Sequence, residues 1–182
     1  TITIFDADRN EVMRKTYDEV KNNDNKLSIV AGSYTLVASS SSDEVPVAAF
    51  EQPVYGVSKE FTIEAGMTTP IGELVCTLQQ CKVTVSYSDD FLQMVTGPCS
   101  TKVTVDPEMP LEYVLNADKT YEQSAGYFAV TGSTMIVVFK GNINGNSAAQ
   151  TITISNIAPK QWRQIKFIPK VDEKGNATFD IV

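Results

Sequence analysis

The sequence predicts an all-β protein, mostly antiparallel with little helix, and three observations carry that reading. Short alternating segments recur from end to end, among them 1–5 (TITIF), 33–38 (SYTLVA), 81–87 (CKVTVSY) and 150–155 (QTITIS). A period of two places one residue set on each face of a pleated strand. Asn144-Gly145 and Lys174-Gly175 each separate two such segments, the signature of a tight hairpin. No βαβ spacing occurs, which disfavours a parallel α/β sheet.

Along the chain, the first strand ends in the turn formers of 6–10 (DADRN), and 11–22 (EVMRKTYDEVKN) fits helix and strand equally. Residues 27–30 and 33–39 read as strands bent at Ala31-Gly32, and 39–46 (SSSSDEVP) reads as a surface loop. Pro53 and Gly56 argue against a regular central strand, after which Phe61 and Ile63 resume alternation. Leu74, Cys76 and Leu78 mark one strand and Val83, Val85 and Tyr87 the next, with Gln79-Gln80 between them. Asp89-Asp90 reads as a strand-end turn. Residues 135–139 read as a strand buried on both faces, and 178–182 as a last strand with Phe179 and Ile181 on one side.

The length of 182 residues suits two small domains, and the polar pair Gln79-Gln80 is the expected boundary: 1–79 and 80–182. Twenty-two acidic against fifteen basic side chains give a formal charge of −7, which repels phosphate backbones and anionic headgroups. Nucleic acid is therefore not expected as a partner. No stretch approaches the roughly 20 apolar residues that span a bilayer. The chain opens in a strand at Thr1, so a trimmed leader is expected, with any signal peptide or lipid-attachment cysteine upstream.

Cys76, Cys81 and Cys99 cannot all pair with one another, and by strand parity Cys76 and Cys81 read as buried small apolar residues. The chain has no histidine, so neither a serine nucleophile with its usual base nor a common zinc site is available. Asp6, Asp8, Asp89, Asp90, Glu51 and Glu64 are carboxylates available for glycoside chemistry, but most sit beside turn residues, where such groups cap backbone N–H. Residues 6–10 match the opening of a calcium loop and then depart from it, with Glu11 at the glycine position and Tyr17 at the bidentate position. No catalytic group, metal or cofactor is expected. Asn176-Ala177-Thr178 fits a glycosylation acceptor and is given no role. The remaining binding route is aromatic: Tyr55, Tyr121, Tyr127 and Trp162 lie near Pro, Gly or polar loops and are the candidate ligand contacts, although a Tyr or Trp at a sandwich corner is more often a packing residue.

The segments AGSYTLVASS, AAFEQPVYGVSKEFTIEAGMTTPIGELVCTLQQCKVTVSYSDDF and SAGYFAV together resemble the fimbrillin-like cell-surface adhesins of Bacteroidetes. The shared pattern is a G-x-Y strand, a Pro-x-Tyr-Gly segment, a Phe-x-Ile strand, a Cys-x-Leu to Val-x-Val passage and a Gly-Tyr-Phe, spread over residues 27–182. The resemblance implies two tandem Greek-key, transthyretin-like β-sandwich domains on an exported, lipid-anchored protein of the outer surface. It implies a pilus component or a lone adhesin, with fimbrial subunits, host or bacterial surface proteins, or glycans as partners. In such pili one subunit donates a strand to the next after proteolysis. The family has no catalytic residues to transfer. A module for glycan capture is the alternative reading, resting on Tyr55 and Trp162.

Overall fold

The computed structural model describes residues 1–41, 44–106, 109–171 and 177–182. The Lys174-Gly175 turn and Asn176 lie outside the described residues. The chain forms two compact units, one from Thr1–Val45 with Val54–Gln79 and one from Pro46–Pro53 with Gln80–Val182. Its elements in order are β1 (Ile2–Asp6), β2 (Glu11–Lys15), α1 (Tyr17–Asn22), β3 (Gly32–Ser39), β4 (Ala48–Phe50), β5 (Tyr55–Ile63), β6 (Thr77–Leu78) and β7 (Cys81–Tyr87). These are followed by α2 (Asp89–Met94), β8 (Cys99–Val105), β9 (Leu111–Leu115), β10 (Gly126–Phe128), β11 (Thr134–Ile143), β12 (Asn146–Ser155), β13 (Trp162–Val171) and β14 (Ala177–Ile181). The protein is all-β and mostly antiparallel, as the alternation predicts.

The first unit holds one five-stranded sheet, ordered β2-β1-β3-β5-β6. Asp6 shapes its opening hairpin: its carboxylate accepts the N–H groups of Asp8 and Asn10 and the Asn10 side-chain amide, and these bonds hold its pKa low. The aspartate-rich segment is therefore a turn. The ambiguous stretch after it divides into β2 and α1, because Thr16 and Glu19 form a reciprocal capping box that starts the helix. Ile4, Tyr34 and Leu36 are buried together on one face of this sheet.

Several expectations in this half are corrected. Residues 27–30 form no strand; they follow Asp24 and Asn25, both at positive φ, and Val30 serves as acceptor for the Tyr34 hydroxyl. Gly56 lies inside the nine-residue β5, which is central, between β3 and β6. A Cβ at Gly56 would stand 3.1 Å from the Ala38 carbonyl oxygen, so the missing side chain permits the close pairing. The strand expected around Leu74 and Cys76 is confined to Thr77–Leu78, and Cys76 is exposed.

The second unit is a two-sheet sandwich. One sheet runs β14-β13-β7-β10-β4 and the other β12-β11-β8-β9, with β7 and β13 parallel. Alternation is strict in β7 and β8, whose odd-numbered residues are buried. In β11, Met135, Val137 and Phe139 face inward while Ile136 is exposed, so this strand is buried on one face and not on both. Asp89 and Asp90 begin α2, which Ser88 caps by accepting the Phe91 N–H. The cap sets Phe91 into a cluster of Tyr87, Phe139, Phe167 and Phe179, with ring centroids 5.0–6.0 Å apart along its edge-on contacts. The last strand, β14, completes the sheet of β13, β7, β10 and β4, with Phe179 and Ile181 buried.

Two tyrosine hydroxyls cross between the sheets. Tyr113 of β9 donates to the Val83 carbonyl at 3.1 Å and accepts the Gly126 N–H at 3.1 Å. Tyr87 of β7 shares a 3.0 Å bond with Thr101 of β8. Burial pushes the Tyr87 hydroxyl up to about 12 and raises that of Tyr113 as well, so both stay protonated as the bonds require. Gly126 is obligatory, since a Cβ there would overlap the Tyr113 hydroxyl.

Asp106, at φ 50 and 8% exposure, ties down the loop before β11. Its carboxylate accepts the N–H groups of Thr131, Gly132 and Thr134 at 2.8, 2.6 and 3.2 Å. Burial pushes its pKa up, but these donors outweigh that and hold it below the usual carboxylate range. The depressed pKa adds stability that is complete above the usual carboxylate range and is lost as pH falls below it, through the lowered folded-state pKa.

Two outcomes follow. Tyr113→Phe, which strands the buried Gly126 N–H, should lower the unfolding free energy by roughly 1–3 kcal/mol in denaturant titration. Asp106→Asn should lower the melting temperature at neutral pH and lose less further stability on acidification than the parent, as read by thermal melts at pH 7 and pH 3.

Candidate functional site

In the first unit the paired registers of β1, β3 and β5 define an open sheet face. Phe5 lies opposite Thr35 and Thr35 opposite Glu60; Thr3 lies opposite Val37 and Val37 opposite Ser58; Ser33 lies opposite Thr62. Directly paired residues share a face. Along this face runs a groove of about 860 Å³, lined by Phe5, Arg9, Ser33, Thr35, Glu60 and Thr62 among others. The Ser33 and Thr62 hydroxyls are 3.4 Å apart. Aromatic rings, a row of hydroxyls, the carboxylates of Asp6 and Glu60 and the guanidinium of Arg9 make a surface suited to hydrogen-bonding a polyhydroxylated or peptide ligand. The groove lay unannounced in the sequence. Its only signal is the odd-numbered set of TITIF and the matching polar parity of β3 and β5.

In the second unit the cross-strand register lines up Ala49, Tyr127, Lys82 and Trp162 in one row across β4, β10, β7 and β13. Trp162 is 57% exposed, and its indole N–H donates to the Thr84 hydroxyl at 3.0 Å. The Lys82 ammonium stands 4.6 Å from the ring centroid, a cation–π contact. Together they hold the only indole of the chain in a fixed pose at the surface.

The four expected aromatics thus divide. Trp162 and Tyr127 share the row, with Tyr127 buried beside Lys82. Tyr121 is half-buried and packs edge-on against Tyr87 at 5.0 Å. Tyr55 opens β5 in the other unit, exposed, with its backbone N–H donated to the Ser40 hydroxyl. Lys82 and Thr84 escaped notice because their pairing with β13 is a long-range event.

The remaining chemistry is structural. Cys81 is fully buried, and burial pushes its thiol up to about 11, with the Arg163 charge opposing. Burial also raises Cys99. Glu51 accepts the Ala125 N–H, which fixes β10 beside β4. Among the described residues no group of three or more Cys, Asp or Glu side chains is placed to hold a metal ion, and no helix is long and apolar enough to cross a membrane.

Because Trp162 rests on the sheet and does not fill a core, Trp162→Ala should change the unfolding free energy by less than about 1 kcal/mol. Denaturation followed by circular dichroism checks this, and a larger loss would assign the indole a packing role.

The chain belongs to the DUF4493 family, a domain of unknown function, which it matches over residues 1–182. No curated protein matches it. Two solved structures are similar. One is a proposed cell adhesion protein from Bacteroides fragilis, 10% identical, with a TM-score of 0.44 and coverage of 100% of this chain and 83% of the other. The second is a proposed adhesin from Bacteroides ovatus, 11% identical, with a TM-score of 0.50 and coverage of 100% and 84%. At that identity the second likeness is one of fold.

Proposed function

We propose that this member of the DUF4493 family is a non-enzymatic adhesin or fimbrial component of a bacterial surface, exported and lipid-anchored. It binds through its loops or an edge strand to fimbrial subunits, to host or bacterial surface proteins, or to glycans. The observation that carries this reading is the end-to-end fold likeness to the proposed Bacteroides ovatus adhesin. The resemblance to fimbrillin-like adhesins in the G-x-Y and Pro-x-Tyr-Gly segments points the same way. An all-β scaffold whose buried carboxylate and thiols are committed to turns and cores suits presentation of surfaces better than turnover.

A second reading, glycan capture, is favoured by the fixed and exposed indole of Trp162. A sugar stacks its apolar face on such a ring while its hydroxyls bond to neighbouring polar groups. Calorimetry against a panel of neutral and acidic polysaccharides, beside a binding assay on intact bacterial and epithelial cells, separates the two readings. Cell binding without glycan heat is expected of a protein-directed adhesin. Glycan heat abolished by Trp162→Ala selects capture, and turnover of any glycan or peptide would overturn both.

A further inference from the structure

Six strands border the three sheets, and five of them are protected in the ways that discourage pairing with another chain. In β2, Glu11, Arg14 and Lys15 bring charge to the edge, β6 has two residues, and β4 has three. Strand β9 is five residues long, follows Pro110 and carries Glu112; β14 carries Asp180, bonded to Lys170. Strand β12 has none of these devices. It runs for ten residues, NSAAQTITIS, with no charge and no proline, and its register with β11 is unbroken. Among the described residues it pairs with β11 alone.

Its free backbone groups can be assigned. Asn144 and Gly145, at φ 51 and 78, form a two-residue turn of the primed type, so Ile143 and Asn146 close the hairpin as a hydrogen-bonded pair. Alternation then turns the even residues of β12 toward β11 and leaves the N–H and C=O of Ser147, Ala149, Thr151, Thr153 and Ser155 pointing to the open side. That set is centred on Thr151.

We infer that β12 pairs antiparallel with β12 of a second copy of this chain, about a two-fold axis that lies midway between the two Thr151 residues and normal to the sheet. This register sets Thr151 opposite Thr151, Thr153 opposite Ala149 and Ser155 opposite Ser147, and it satisfies every free group in the set with about ten hydrogen bonds. It brings no charge against a like charge. On the core side it places Ile154 against Ala148 and Ile152 against Gln150, extending the partly covered apolar row that already packs on the sandwich core. A two-fold contact of one strand with itself closes at two copies, joining two four-stranded sheets into one of eight.

The inference develops the edge-strand part of the proposed function, and its failure would leave the cell-binding and calorimetric results as they stand. Sedimentation velocity over about a hundredfold range of concentration provides the test by mass action, in reducing buffer so that exposed Cys76 forms no cross-link. The parent chain should pass from monomer to dimer as concentration rises. Thr151→Lys and Thr151→Glu should each remain monomeric with parent-like circular dichroism, since each places two like charges face to face. Mixed together, the two variants should recover the dimer. A parent that stays monomeric, a dimer that survives in both variants, or a mixture that fails to associate would each overturn the inference.

Discussion

The sandwich of the second unit is set in register by two hydroxyl groups buried between its sheets. Sheets packed face to face are held chiefly by apolar burial, which is non-directional and leaves register free to slide. Tyr113 and Tyr87 supply the missing direction, one reaching from each sheet into the other. Their rings contribute to the apolar core while their oxygens find fixed partners on the far side, so relative displacement of the sheets would break a buried bond before it exposed a side chain. Gly126 can pair closely with Val83 because it leaves room for the Tyr113 hydroxyl.

Asp106 works by the same logic at the sandwich margin. A single carboxylate gathers the N–H groups of Thr131, Gly132 and Thr134 and so fixes where β11 begins, and the strand entering from that point supplies Met135, Val137 and Phe139 to the core. Directional polar bonds thus choose among packings that burial alone would accept.

The alternation that a strand needs is local, and for that reason β3, β7, β12 and the Asn144-Gly145 hairpin could be read directly from sequence. The errors arose where a local signal was answered by something distant or by a cap. Asp89-Asp90 has turn composition, but Ser88 in front of it starts a helix. Cys76 has strand parity with Leu78, yet only Thr77 and Leu78 beside it pair, and Cys76 itself is left exposed. Gly56 looks like a strand breaker until Ala38 is known to lie beside it. The candidate site follows the same division. Trp162 announced itself by residue type, whereas its fixed pose needs Thr84, 78 residues away, and no local pattern records that pairing. Tyr127 and Tyr121 were indistinguishable from it in composition and differ only in what covers them.

Strand β4 lies between β3 and β5 in the chain, although those two pair with each other in the first unit while β4 pairs with β10 in the second. During synthesis it leaves the ribosome well ahead of β10, and β5 and β6 can complete the first sheet while it still waits. Its exposed backbone in that interval is brief in length, three residues, which limits the hazard of mispairing. The same order means that a proteolytic fragment starting at Gln80 would lack this strand and would bare the far side of β10.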